Sequence, residues 1–114
     1  MKNILKYKDF IGSVNFSSND DIFFGKIEDI DDLVTFEGDN VKEIKKSFQE
    51  AVNDYIEICT IANKKLHKSY KGTFNIRLTP KLHRTLALKS IENGISINQL
   101  VQSTLEKEFH INLK

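Results

Sequence analysis

Cysteine occurs once in the 114 residues, at Cys59, so an internal disulfide and a cysteine metal cluster are both excluded. Long hydrophobic runs are missing too: no stretch approaches the roughly 20 apolar residues that a membrane-spanning helix needs. The opening Met1-Lys2-Asn3-Ile4-Leu5-Lys6-Tyr7-Lys8 has no apolar h-region and no small-residue cleavage site, so no signal peptide is expected and a cytoplasmic setting is the default. His67, His83 and His110 are far apart and lack metal-ligand spacing, so neither metal nor cofactor is expected. His83, near a helix start, reads as structural, and Cys59 as a core residue. Arginine is absent from the first 63 residues, which carry 7 Lys against 13 Asp and Glu.

That last absence is half of a sharp charge division. Residues 1–63 sum to −6 and residues 64–114 to +7, leaving +1 for the whole chain. A split of sign on this scale points to two modules with different partners. The basic half suits a polyanion; the acidic half repels nucleic acid and attracts a basic protein.

The basic half holds the most ordered pattern. Thr73-Phe74-Asn75-Ile76-Arg77-Leu78 alternates, with Phe74, Ile76 and Leu78 on one side and Thr73, Asn75 and Arg77 on the other, as in a strand. Thr79 as N-cap and Pro80 at the first helical position start a helix. Gly94 ends it in the left-handed position. Ser96, with Gln99 three residues on, opens a second helix through a capping box. Leu82, Leu86, Ala87 and Ile91 form the inner side of the first helix. Ile97, Leu100, Val101, Leu105 and Phe109 form a stripe on the second. One strand and two helices cannot enclose these residues in one copy, and a lone strand leaves both edges unpaired. Two copies pairing their strands antiparallel solve both problems, so dimerisation is expected to be close to obligatory for folding.

In the acidic half, Phe10–Phe16 and Ile22–Ile27 read as a hairpin across the Ser17–Asp21 turn, and Leu33–Phe36 as a third strand. Residues 1–8 are a lead-in or the start of the first strand. Asn40, with Glu43 behind it, caps a long helix. Its apolar positions Val41, Ile44, Phe48, Ala51, Val52, Tyr55, Ile58 and Cys59 recur at three and four and should lie across the sheet. The helix is expected to fray after Ala62. The expected fold class is α+β: a three-stranded antiparallel sheet with one long helix over residues 1–63, a lysine-rich linker over 64–71, and a strand–helix–helix unit over 72–114.

Two groups of residues carry a family resemblance. Thr73–Pro80, the Gly94 turn and Ser96-Ile97-Asn98 resemble a ribbon-helix-helix DNA-binding domain. Ile11-Gly12-Ser13-Val14, Phe24-Gly25, Thr35-Phe36-Glu37-Gly38-Asp39 and Ala51-Val52-Asn53-Asp54-Tyr55 resemble the HicB antitoxins, in that family's order. Phe109 to Lys114 falls outside the resemblance. The resemblance implies a partial RNase H-like N-terminal domain that binds and neutralises HicA, a small double-stranded-RNA-binding-domain-like ribonuclease toxin. It also implies a C-terminal domain that binds the operon's operator and represses it.

Residue chemistry assigns the roles. In a two-stranded ribbon, Arg77 can pair with guanine O6 and N7, Asn75 with adenine N6 and N7, and Thr73 can bond a base or meet a thymine methyl. Ser96, Ile97 and Asn98 open a helix whose N–H groups suit a phosphate oxygen, and Lys71 adds phosphate attraction. Asp20, Asp21, Glu28, Asp29, Asp31 and Asp32 are the candidates for toxin contact. Metal-dependent phosphodiester cleavage needs converging carboxylates. The strand Phe10–Phe16 contains none, so no enzymatic activity is expected. Two other readings fit the pattern less well: a stand-alone repressor whose N-terminal domain senses a ligand or assembles oligomers, and a residual nuclease.

Overall fold

The computed structural model describes residues 3–111, which divide into two compact units meeting at Lys71 and Gly72. The first unit is an antiparallel sheet in the order β1-β2-β3-β4, built from β1 (Ile4–Tyr7), β2 (Phe10–Ser17), β3 (Ile22–Ile27) and β4 (Thr35–Gly38), followed by helix α1 (Val41–Ala62). The second unit contains α2 (Pro80–Asn93) and α3 (Ile97–Glu108). The class is α+β, but with four strands in the sheet instead of three. The extra strand is β1, which pairs with β2 from Ile4↔Ser13 to Tyr7↔Phe10. Its turn is Lys8-Asp9, with both residues at positive φ, 50° and 65°. Tight two-residue hairpins want that conformation, but their usual marker is Asn-Gly or Asp-Gly; Lys-Asp gives no such signal. The fourth strand begins at Thr35, not at Leu33, which is exposed in the loop before it.

α1 forms where its pattern predicts, but Val41 and Ile58, expected against the sheet, are exposed, because Val41 lies at the helix start and Ile58 beside the buried line rather than on it. Asn40 Oδ1 accepts the Glu43 N–H at 2.9 Å, and Glu43 Oε1 accepts the Asp39 N–H at 2.9 Å. The side chain thus closes one residue further back than a standard capping box. Asn63 ends the helix at φ 53°, its N–H pointing to the carbonyls of Cys59 and Thr60. Ile44, Phe48, Val52, Tyr55 and Cys59 face the sheet and meet Phe10, Ile27, Ile30 and Phe36 in one core. Cys59 is buried there as a free thiol, in keeping with the core role expected of it.

Helix and sheet approach closely at two glycines. A Cβ on Gly12 would lie 2.7 Å from the Phe48 ring, and one on Gly38 would lie 2.5 Å from the Ile44 nitrogen. The absence of a side chain there lets the first turn of α1 and the Phe48 ring rest on the strands. The Gly38 of Thr-Phe-Glu-Gly-Asp is therefore a packing requirement of this unit.

The second unit has no comparable core. Thr79 Oγ1 accepts the Leu82 N–H at 3.2 Å, Pro80 is the first helical residue, and Gly94 sits at φ 69°. The capping box at Ser96 and Gln99 is complete, with bonds of 3.0 and 2.9 Å. Yet the only fully buried residue among those described is Ser90. Phe74 is 77 % exposed and Ile91 75 %, and Leu82, Leu105 and Phe109 are exposed too. Residues 73–79 are exposed and carry no regular secondary structure, where the sequence predicts a strand over Thr73–Leu78. The physical reason is that a strand is held by hydrogen bonds to a neighbour, and the single chain offers none. Among the described residues no helix is long and apolar enough to cross a membrane.

Candidate functional site: a nucleic-acid interface and an acidic unit

In the second unit, Gly72–Leu78, α2 and α3 surround an open apolar hollow of about 660 Å³. Phe74, Ile76, Leu78, Leu86, Val101 and Leu105 are among its lining. Thr73, Asn75 and Arg77, which alternate with the apolar residues of the segment, are exposed, as is Lys71. At the start of α3 the Ser96 N–H is already taken by the Gln99 side chain. The N–H groups that remain without an intrahelical acceptor are those of Ile97 and Asn98, because the first turn of a helix has no carbonyl to offer them. His83 is exposed beside the hollow, not buried in a structural contact.

In the first unit the six carboxylates expected to meet a toxin do not form one patch. Asp20 and Asp21 lie in the turn between β2 and β3, while Glu28, Asp29, Asp31 and Asp32 lie between β3 and β4. The six residues of β3 separate the two groups by about 20 Å, at ~3.3 Å per residue. Asp20 faces its own turn, where Ser17 Oγ donates to it at 3.4 Å.

Two of the loop carboxylates already have partners in the chain. The segment 64–71, expected as a linker, lies along the β3–β4 loop as a strap. The Lys64 ammonium and the Tyr55 hydroxyl both donate to Asp32 Oδ2, the latter at 2.9 Å. The Tyr70 hydroxyl donates to Asp29 Oδ1 at 2.7 Å, and the Lys68 N–H donates to the Asp29 carbonyl at 2.8 Å. His67 lays its ring against Phe10, centroids 4.7 Å apart, with Nδ1 3.4 Å from Asp29 Oδ2. Asp29 itself is held at φ 61°, a left-handed conformation that Asp tolerates better than most residues. Four lysines with no periodicity hid this strap, and its signal was His67 and Tyr70, an aromatic pair in a run that is polar apart from Leu66.

Hydrogen bonds from Lys64 and then Tyr55 hold the Asp32 carboxyl below its ordinary 3.8. The same contact raises Lys64 above its ordinary 10.5. Burial, with the neighbouring Cys59 and Asp32, pushes Tyr55 well above the usual phenol range. The Asp29 bond raises Tyr70. The sign of the pH effect follows. Asp32, lowered on folding, stabilises above its unfolded value, and that contribution disappears as pH falls through its lower folded value. Lys64, raised on folding, stabilises below 10.5, and its contribution is lost as pH climbs through its folded value. Asp32→Asn is therefore expected to melt at a lower temperature than the parent near neutral pH, with the gap narrowing as the pH falls through the lowered folded value of Asp32. Thermal denaturation followed by circular dichroism across pH 2 to 8 checks this; a constant gap down to pH 2 would contradict it.

Among the described residues, no group of three or more His, Cys, Asp or Glu converges as a metal site. Residues 55–105 match the model of the HicB family. Over that stretch, 51 of its 114 residues, the chain is similar to the HicB family. The match runs from the second half of α1 through the strap and the 73–79 segment into α3; the glycine motifs of the sheet lie ahead of it. No curated protein and no solved structure matches the chain.

Proposed function

We propose that this protein is an antitoxin and autorepressor. Its first unit, a partial RNase H-like domain, binds and neutralises a small HicA-like, mRNA-cleaving ribonuclease by covering the toxin's surface, with no chemistry of its own. Its second unit pairs with that of another copy. The two Thr73–Leu78 segments then form an antiparallel ribbon, and α2 and α3 complete a ribbon-helix-helix domain that binds operator DNA. The observation that carries this reading is the uncovered apolar face of Phe74, Ile76, Leu82 and Leu105, alternating along residues 73–78 with exposed Thr73, Asn75 and Arg77. Pairing covers the first set and leaves the second set on the open side of the ribbon.

In the paired form Arg77 and Asn75 read base edges in the major groove, while the free N–H groups of Ile97 and Asn98, with Lys71, hold phosphates. Two-fold symmetry of the dimer calls for an inverted-repeat operator. The net +3 of residues 72–114, six Lys and Arg against three Glu, makes operator affinity fall with salt through counterion release.

The test is co-purification of the chain with the protein encoded by the neighbouring gene, followed by an RNase assay of that protein with and without this one. Arg77→Ala is expected to lose about 1–3 kcal/mol of specific operator binding and to keep full neutralisation. Loss of both activities in this variant would defeat the division of labour between the two units.

A further inference from the structure

The acidic loops are partly occupied by the chain's own strap, so the surface left for a basic partner must be sought elsewhere on the first unit. α1 supplies one. Away from its buried stripe the helix carries Glu50, Asp54, Glu57, Ile58 and Ile61, all exposed. Spacings of three and four put them on one continuous strip. Ile61 is 81 % exposed and Ile58 59 %. On a helix of 22 residues that already buries its apolar stripe, two neighbouring isoleucines left in water gain nothing from the fold of this unit. They are the kind of branched apolar anchors that pack into a partner.

The surrounding charges point the same way. Glu50, Asp54 and Glu57 make no ion pair among the described residues. Glu50 and Asp54 stand four apart and Asp54 and Glu57 three apart, where like charges repel. Glu50 stands near the middle of α1 and Asp54 and Glu57 in its C-terminal half, whose last turn has no basic residue, while Lys42, Lys45 and Lys46 stand nearer its start. The arrangement is costly to the free helix and complementary to a cation-rich surface. It also sorts the possible occupants. A second copy of this strip would set carboxylate against carboxylate across a two-fold axis, and nucleic acid is repelled outright.

We propose that the outer strip of α1, with Ile58 and Ile61 as apolar anchors inside a rim of Glu50, Asp54 and Glu57, is the surface on which this chain seats a small basic protein. This rests on the antitoxin reading above and names the site where the ribonuclease toxin docks. The rim carboxylates steer association, and the isoleucines, once covered, hold the complex. The opposite, open side of the sheet presents Ile11 and Phe24 with Lys6, Lys26 and Glu37, a mixed-charge face less suited to a basic partner.

The experiment uses the full chain and the purified toxin encoded with it, measuring association and dissociation rates by surface immobilisation, with operator gel shifts alongside. Two variants probe the strip: Ile58→Ala with Ile61→Ala, which keeps helix propensity, and Glu50→Lys with Asp54→Lys and Glu57→Lys. Ile11→Asp probes the open sheet face. The wild type is expected to bind the toxin. The isoleucine variant should dissociate about tenfold faster or more. The charge variant should associate at least about tenfold more slowly at low salt, and its on-rate should lose most of its salt dependence. Ile11→Asp should bind like the wild type, and all variants should keep the wild-type unfolding transition of the first unit by circular dichroism, which shows that it folds, and shift the operator normally, which shows that the second unit does. If the wild type binds but both strip variants bind equally well, this site is overturned while the antitoxin reading survives. Loss of binding in Ile11→Asp alone would move the toxin to the sheet face with the same consequence. If the wild type itself does not bind the toxin, the antitoxin reading falls and this site with it.

Discussion

Phe74→Asp is expected to leave the chain monomeric and unable to bind its operator. Phe74 is largely exposed in the single copy, beside the open hollow between α2 and α3. In the proposed dimer it is covered from both copies. Full burial of one such side chain is worth about 1.5–3 kcal/mol, and two-fold symmetry counts it twice. Aspartate loses that contribution and also places two like charges in an apolar seam, where an unpaired charge is far more expensive than in water. Because folding of this unit and its pairing are one equilibrium, the helices should melt with the dimer. Sedimentation equilibrium gives the mass, far-ultraviolet circular dichroism the helix content, and a gel shift the loss of DNA binding. Toxin binding by the first unit should persist. A dimeric Phe74→Asp protein with normal operator affinity would show that the 73–78 segment is not the pairing element.

The second large effect is expected at Phe48→Ala, in the other unit. Phe48 is essentially inaccessible and its ring packs 5.1 Å from that of Phe36, over the place left free by Gly12. Truncation of a buried Phe costs about 3–5 kcal/mol, part of it from the cavity left behind. A unit of some 70 residues buries only a modest core and has little stability to lose, so much of the first unit should unfold at 37 °C. Toxin neutralisation should fail while the second unit still pairs and shifts the operator. The pair of variants is thus a reciprocal test of the two units. Denaturant unfolding of Phe48→Ala should give a lower midpoint for the transition of the first unit; an unchanged midpoint would mean that the helix–sheet core is not what holds that unit together.

Much of this was legible along the chain because it depends on neighbours in sequence. The helix starts at Asn40, Thr79 and Ser96 and the stop at Gly94 are set by one side chain or one backbone angle within a turn of the helix. The stripe Ile44, Phe48, Val52, Tyr55 and Cys59 follows from helical period alone. What escaped depended on contacts between distant residues or on unusual local chemistry. β1 was hidden because its turn uses Lys8-Asp9 in place of a glycine. The strap 64–70 was hidden because its hold on Asp29 and Asp32 spans more than 30 positions and involves side chains that would otherwise read as solvated. Glu50, Asp54 and Glu57 gave no signal of function because acidic residues on the outer side of a helix are the usual solvated face. Their lack of cationic partners appears only once the surroundings are placed.

By itself the sequence pointed to two modules, with the charge changing sign at residue 63, though the compact units part between Lys71 and Gly72 because the lysine-bearing strap packs on the first; it also determined the three helices with their caps. It also determined that Thr73–Leu78 has two unlike sides, because alternation is a property of order along the chain. The tertiary structure alone decided which acidic residues are spoken for and which stand open. Asp32 and Asp29 are held by Lys64, Tyr55 and Tyr70 because folding brings the β3–β4 loop against the end of α1 and the strap. Ile58 and Ile61 stay in water because the sheet already covers the other side of their helix. Availability to a partner is a matter of what else has been packed nearby, and that is settled only when the whole unit has closed.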